Sequence, residues 1–143
     1  MANAREISDR YSDAINAHDA EAIASLYAER AGLEEPTGTF TGREALIQYW
    51  QGFFTALPDV QVQDERKWDT GDTAINEWSA TGTNSGPFET PEGTIPPTGK
   101  RATLRGCDFL TVHEGLIQSH RAYYDQLSFL AQLGLVPEGT AAS

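Results

Sequence analysis

Basic residues are scarce in this chain: ten Lys and Arg stand against 21 Asp and Glu, which gives a formal charge of -11. Binding to phosphate backbones or anionic lipid needs clusters of Lys and Arg, and the sequence has none, so nucleic acid and membrane surfaces are not expected partners. Long apolar runs are lacking as well. None approaches the roughly 20 residues that span a bilayer, and the N-terminal Met1-Ala2-Asn3-Ala4-Arg5-Glu6 opens directly into a helical pattern with no apolar signal core. The expectation is a soluble, cytoplasmic protein. Cysteine is reduced to Cys107 alone, which excludes an internal disulfide, and no Cys/His spacing resembles a zinc site. Cys107 reads as a small buried side chain, because no His or Asn is placed by sequence as its partner. With 143 residues the chain fits a single domain, 1–143, with its ordered core over about residues 3–137.

What is present is a change of hydrophobic period along the chain. Ile7, Tyr11, Ile15 and His18 fall near one helical face. Asp19 then caps a second short helix with Ile23, Leu26 and Tyr27, so that His18-Asp19 reads as a helix-helix corner rather than a catalytic dyad. After an extended segment, Thr41-Gly42-Arg43-Glu44 has capping-box spacing, followed by the stripe Leu46, Tyr49/Trp50, Phe53, Leu57 and ended by Pro58. From Asp59 the period becomes two: Val60, Val62 and Trp68 share one face, and Ala74, Asn76, Trp78 and Ala80 share one face of a returning strand beyond Gly71-Asp72. Asn84 to Gly99 holds four of the seven prolines and reads as a long loop, a lid or a rim. Lys100 to His113 and Leu116 to Tyr124 form two further strands around Glu114-Gly115, and a last helix ends at Gly134 with Pro137 beyond. Helices segregated from long strands predict α+β architecture with a mostly antiparallel sheet.

A two-residue turn at Glu114-Gly115 sets His113 opposite Leu116, and strict alternation then assigns the faces of this hairpin. Leu104, Gly106, Asp108, Leu110 and Val112 share a face with Ile117, Ser119, Arg121 and Tyr123, which puts Asp108 opposite Arg121. Charges on an apolar face need pairing or a wet cavity, since burying an ion costs several kcal/mol. Continued alternation brings Asp125 to the same face. Asp125 itself has two readings, as the N-cap of the last helix or as a general base at the end of a pocket. Asp108 and Arg121 equally read as a plain cross-strand salt bridge. The other face carries Arg105, Cys107, Phe109, Thr111, Gln118, His120 and Tyr124 and reads as a dimer surface. His120, the histidine nearest Asp125 in sequence, is retained as a candidate substrate contact.

Thr81-Gly82-Thr83-Asn84-Ser85-Gly86, Pro97-Thr98-Gly99-Lys100, Glu114-Gly115-Leu116-Ile117, Tyr123-Tyr124-Asp125 and Gln132-Leu133-Gly134-Leu135 occur in that order. With the Asn16-Ala17-His18-Asp19 corner, Gly42-Arg43-Glu44-Ala45 and Pro58-Asp59, this set resembles the SnoaL-like polyketide cyclases of the nuclear-transport-factor-two-like superfamily. The resemblance implies a cone-shaped α+β barrel, a strongly curved, mostly antiparallel sheet wrapped around a pocket and closed by three helices, commonly as a homodimer. It also implies a cofactor-free intramolecular aldol condensation on a small hydrophobic carbonyl-containing substrate, with Asp125 as the base. No metal or organic cofactor is called for. Asp108 and Arg121 complete the candidate catalytic set, and Arg121, Asn76 or a Tyr hydroxyl would supply the oxyanion donor. Trp78, Tyr49, Phe53, Phe88, Tyr123 and Asn84 are candidate substrate contacts. Asn84 stands where a Gly-Thr-His-x-Gly pattern would carry His, and Arg121 stands where Trp is common.

Two alternatives come from other function classes. One is an epoxide hydrolase-like or isomerase-like enzyme in which Asp108, Arg121 and Asp125 share a water. The other is a non-catalytic ligand-binding or dimerisation module, favoured if Trp78, Tyr49 and Phe53 fill the pocket.

Overall fold

The computed structural model describes residues 1–136, and its elements follow one another as α1 (Ala4–Asn16), α2 (Ala20–Ser25), β1 (Gly32–Glu35), β2 (Gly38–Thr41), α3 (Arg43–Ala56), β3 (Gln61–Asp69), β4 (Thr73–Thr83), β5 (Phe88–Thr90), β6 (Gly93–Ile95), β7 (Arg101–His113), β8 (Leu116–Tyr124) and α4 (Gln126–Gln132). Pro137 lies outside the described residues. Six strands form one curved sheet in the order β2-β1-β8-β7-β4-β3, antiparallel throughout except for the β1–β8 pair. The architecture is therefore the α+β, mostly antiparallel one that the element order predicts. The sheet is strongly curved but stays open, with β2 and β3 at its edges; α1–α3 cover its concave face, and α4 is the last helix expected up to Gly134.

Local chemistry accounts for the elements that shape the interior. Asn3 caps α1 by accepting from Glu6 N at 2.9 Å, and Ile7, Tyr11 and Ile15 bury one stripe of that helix against the sheet. His18 takes a left-handed φ of 54° at the corner, and Asp19 caps α2 through Ala22 N at 3.0 Å. The expected capping box at Thr41 does not form. The N-cap of α3 is Gly42, one residue later, and it has no side chain to accept the orphan N–H groups.

A bulge at Glu65 interrupts the β3–β4 ladder between Asp64 and Arg66. The extra residue reverses the alternation beyond it, so Trp68, expected on one face with Val60 and Val62, lies half exposed on the other. The segment Asn84 to Gly99 is not all loop. It folds back on itself as a β5–β6 ribbon that pairs Phe88 with Ile95, and Phe88 packs edge-on against Phe129 of α4. The main core lies between α1–α3 and the concave sheet, while Leu57, Val60, Leu104, Phe129 and Leu133 form a second cluster beneath α4. Among the described residues no helix is long and apolar enough to cross a membrane.

Candidate active site

The hairpin of β7 and β8 turns as expected, with Glu114 at φ 53° and Gly115 at φ 75° and with His113 opposite Leu116. Its register then shifts. Val112 pairs with Ile117 but Thr111 pairs with Ser119, so Gln118 is an extra, bulged residue and everything beyond it moves by one. Asp108 therefore stands opposite Ala122, and Arg121 stands opposite Phe109. This corrects the convergence expected of Asp108, Arg121 and Asp125. Arg121 is on the outer face, with its guanidinium 5.9 Å from the Phe109 ring centroid, and Tyr123 is 53% exposed on that same face. His120, expected outside, is buried inside at 3% exposure together with Asp108 at 7%.

The inner face opens on a cavity of about 70 Å³. Its walls are aromatic and aliphatic: Tyr11 from α1, Tyr49, Trp50 and Phe53 from α3, Trp78 from β4, Tyr124 from β8, with Leu33, Val60, Val62 and Leu104. Its polar groups are Ser12, Asn76, Asp108 and His120. Asn76, Trp78, Tyr49 and Phe53, expected as substrate contacts, are among the residues that line this cavity.

A chain of hydrogen bonds leads away from the cavity. His120 Nε2 lies 2.8 Å from Asp108 Oδ2, His120 Nδ1 lies 2.6 Å from the Tyr27 hydroxyl, and Tyr27 and Tyr11 hydroxyls are 3.0 Å apart. A carboxylate only accepts, so Nε2 carries a hydrogen. When the ring is neutral, Tyr27 donates to Nδ1. When the ring is an imidazolium, Nδ1–H donates to Tyr27, whose own hydrogen turns to Tyr11. Burial pushes both tyrosines well above their ordinary pKa, with the Asp108 charge adding to it, so both stay neutral in the folded protein.

A second polar cluster sits at the β1 side. Tyr124 donates to the buried Glu35 at 2.5 Å, and Glu35 also accepts from Thr37 N at 2.9 Å and from the Thr37 hydroxyl. Burial, then the Glu35 carboxylate, raise the Tyr124 and Tyr49 hydroxyls above the ordinary phenol range. Among the described residues four buried side-chain atoms have no hydrogen-bond partner: Trp50 Nε1, Asn76 Oδ1, Asp108 Oδ1 and Gln126 Oε1. The first three belong to residues that line the cavity. Orphaned buried polar atoms are rare in folded proteins because each costs about 1–3 kcal/mol. Three in one cavity leave polar atoms there that a ligand or an ordered water can meet.

The remaining candidates stand elsewhere. Asp125 is exposed and accepts from Ser128 N at 2.9 Å, so it caps α4 and does not line the cavity. Asn84 is fully buried but internally satisfied: its Nδ2 donates to Ala56 O and Gly86 O, and its Oδ1 accepts from Thr98 N and the Thr98 hydroxyl. It staples the Pro-rich segment to α3. Phe88 belongs to the cluster under α4. Cys107 is only partly buried, and burial with the Asp108 and Glu77 charges raises its thiol pKa, so it is a poor nucleophile. Sequence reasoning missed Tyr11, Tyr27, Trp50, Tyr124 and Glu35 as cavity chemistry. The signal for His120 was present: Gln118 and Ser119 are two consecutive polar residues between Ile117 and His120, which breaks a two-residue period where a bulge is needed. Among the described residues no three His, Cys, Asp or Glu side chains cluster to hold a metal ion.

Comparison with known proteins places this geometry. The chain is 27% identical to IdmH, a candidate polyketide cyclase from Streptomyces antibioticus, over 93% of this chain and 99% of that one, with a TM-score of 0.76. It is 25% identical to the epoxide hydrolase/cyclase-like enzyme SalBIII, which has a role in pyran ring formation in the polyether salinomycin, over 87% and 92%, with a TM-score of 0.71. A candidate SnoaL-like polyketide cyclase from Jannaschia sp. CCS1 shares the fold, at 20% identity over 93% and 92% and a TM-score of 0.80. No curated protein matches the sequence. The model of the SnoaL-like domain matches residues 8–120, most of the chain and the whole of the Asp108–His120 hairpin up to its histidine, and the protein therefore belongs to the SnoaL-like domain family.

Proposed function

We propose that this chain is a cofactor-independent enzyme that takes a proton from carbon beside a carbonyl group, with Asp108 as the base. One observation carries the reading: Asp108 Oδ1 is unpartnered in an apolar cavity while Oδ2 is held by His120. The free oxygen accepts the proton, and His120 with Tyr27 and Tyr11 offers the route by which it is held and later returned. The Trp50 indole N–H, which stands beside the Tyr11 hydroxyl without making a well-formed hydrogen bond, would take the place of Arg121 in meeting the developing oxyanion. The resulting enolate would attack a second carbonyl, the intramolecular aldol closure of a polyketide-like compound, in keeping with the cyclase description of IdmH. The base role expected of Asp125 passes to Asp108. A positioned base typically contributes about 10² to 10⁴ in rate, so the cavity walls must supply the rest by holding a near-attack geometry.

The test is solvent exchange. Small β-dicarbonyl compounds in D₂O are followed by proton NMR with wild type, Asp108→Asn and His120→Gln. Exchange above the buffer rate that Asp108→Asn abolishes supports the reading, and exchange undiminished in Asp108→Asn refutes it. The second reading is a non-catalytic binding module, favoured by how closely Tyr49, Phe53 and Trp78 crowd a cavity of about 70 Å³. Binding of the same compounds without exchange would select it. A hydrolase using an Asp/Arg/Asp set has less support, because Arg121 and Asp125 do not line the cavity. For the homodimer implied by the family, the outer face around Phe109, Arg121 and Tyr123 is the surface we would assign.

A further inference from the structure

The amide of Asn76 is held in one orientation by residues outside the reacting pair. Its Nδ2 donates to Asp64 Oδ1 at 2.9 Å, and the same oxygen accepts from the Ser12 hydroxyl at 2.8 Å. The other Asp64 oxygen meets Lys67 Nζ at 3.1 Å, and this ammonium, on a side chain only 6% exposed, also reaches Asp9 at 2.5 Å. The Glu65 bulge is what brings Asp64 and Lys67 to the same side of β3. A carboxylate has acceptors only, so turning the Asn76 amide over would press its carbonyl oxygen against a carboxylate oxygen. The free atom of Asn76 is therefore Oδ1, an acceptor. It is buried and unpartnered on a residue that is 5% exposed and lines the cavity.

We propose that Asp64, held by Lys67 and Ser12, is a specificity-determining positioning residue that fixes Asn76 as an acceptor, so that the cavity selects ligands carrying a hydroxyl or enol O–H at that point. A ligand carbonyl or methyl there leaves Asn76 Oδ1 unpaired, and sites built to bond an O–H reject analogues that lack it. Asn76 is the direct cross-strand neighbour of Asp108, so the O–H stands beside the Asp108 carboxylate. This names the substrate class as hydroxylated or enolisable carbonyl compounds. The inference deepens the function proposed above, resting on it for the identity of the cavity and not for catalysis by Asp108.

Two isosteric probes separate the cases: 3-hydroxybutan-2-one and 3-methylbutan-2-one, which differ by a hydroxyl against a methyl. Binding is read by NMR titration on the Asn76 side-chain amide and the Trp50 indole N–H. Wild type is expected to bind the hydroxy ketone about tenfold more tightly. In Asp64→Asn the new amide can donate to Asn76 Oδ1 and let that group turn over, so the preference is lost and butane-2,3-dione gains. Should Asp64→Asn fail to fold, Asn76→Leu tests the same point, losing the preference through the hydroxy ketone while 3-methylbutan-2-one still binds. Equal affinity for the two probes in wild type, binding of neither, or a preference retained in either variant overturns the proposal. A preference kept in wild type with no solvent exchange of β-dicarbonyl compounds would refute the catalytic reading and leave this one standing.

Discussion

Replacing Tyr27 by Phe keeps the ring and removes one oxygen, and that oxygen is the middle of the relay. It stands 2.6 Å from His120 Nδ1 and 3.0 Å from the Tyr11 hydroxyl, so the substitution leaves two buried polar groups without a partner. Each orphaned group costs about 1–3 kcal/mol, and the desolvation of the deleted hydroxyl is recovered, so the net loss is expected at about 2–4 kcal/mol. Tyr11→Phe removes the end of the chain instead. Tyr27 keeps its bond to His120, and the loss is about 0.5–1.5 kcal/mol. In the double variant the Tyr11 hydroxyl is no longer stranded, so the combined loss falls short of the sum by about 0.5–1.5 kcal/mol. A chain of 143 residues has an unfolding entropy near 0.3 kcal/mol/K, which converts these losses into about 7–13 °C for Tyr27→Phe and 2–5 °C for Tyr11→Phe. Calorimetry with urea unfolding at constant m-value measures them. Equal costs for the two single variants, or strict additivity, would refute the relay as a connected chain.

Three other outcomes follow from the geometry. Asp108→Asn keeps an acceptor for His120 Nε2 but exchanges a charged bond for a neutral one, so stability falls by about 1 kcal/mol while solvent exchange is lost; calorimetry and NMR check the two together. Asp125→Ala removes the cap of α4 and should cost about 0.5–2 kcal/mol with exchange unaffected, and loss of exchange without loss of stability would return the base role to Asp125. Tyr11, Tyr27, Tyr49 and Tyr124 have folded pKa values raised mainly by burial. A raised folded pKa means that the unfolded chain loses the proton first, so stability is complete below about pH 10 and falls as pH rises above it. In a Tyr123→Phe background, which removes the exposed fifth tyrosine, tyrosinate absorbance at high pH should therefore grow in step with the loss of circular dichroism, and growth in a still folded protein would contradict it.

The sequence made the architecture legible because its signals there are periodic. The stripes of α1 and α3, the turns at Gly71-Asp72 and Glu114-Gly115 and the Asp19 cap all stand where pattern puts them. The site was half legible. Asn76, Trp78, Tyr49, Phe53 and Asp108 do line one cavity, since each lies on a strand or helix before any irregularity reaches it. Arg121, Tyr123 and His120 were assigned to the wrong faces because one bulged residue lies between them and the turn from which the alternation was counted. Asn84 and Phe88 failed for a different reason: a loop's composition says nothing of which backbone groups its side chains will satisfy.

Gln118 is also the point at which β8 can change length without changing its inside. Because it is the unpaired residue of the bulge, a chain without it would regain strict alternation and still set His120 against the Asp108 face, whereas loss of one residue between Ser119 and Ala122 would carry the strand's far end to the opposite side. Residue counts taken from the Glu114-Gly115 turn are thus an unsafe ruler for comparing such hairpins across a family. Alignment anchored at the Asp108 end, with the gap allowed at Gln118, keeps equivalent side chains together.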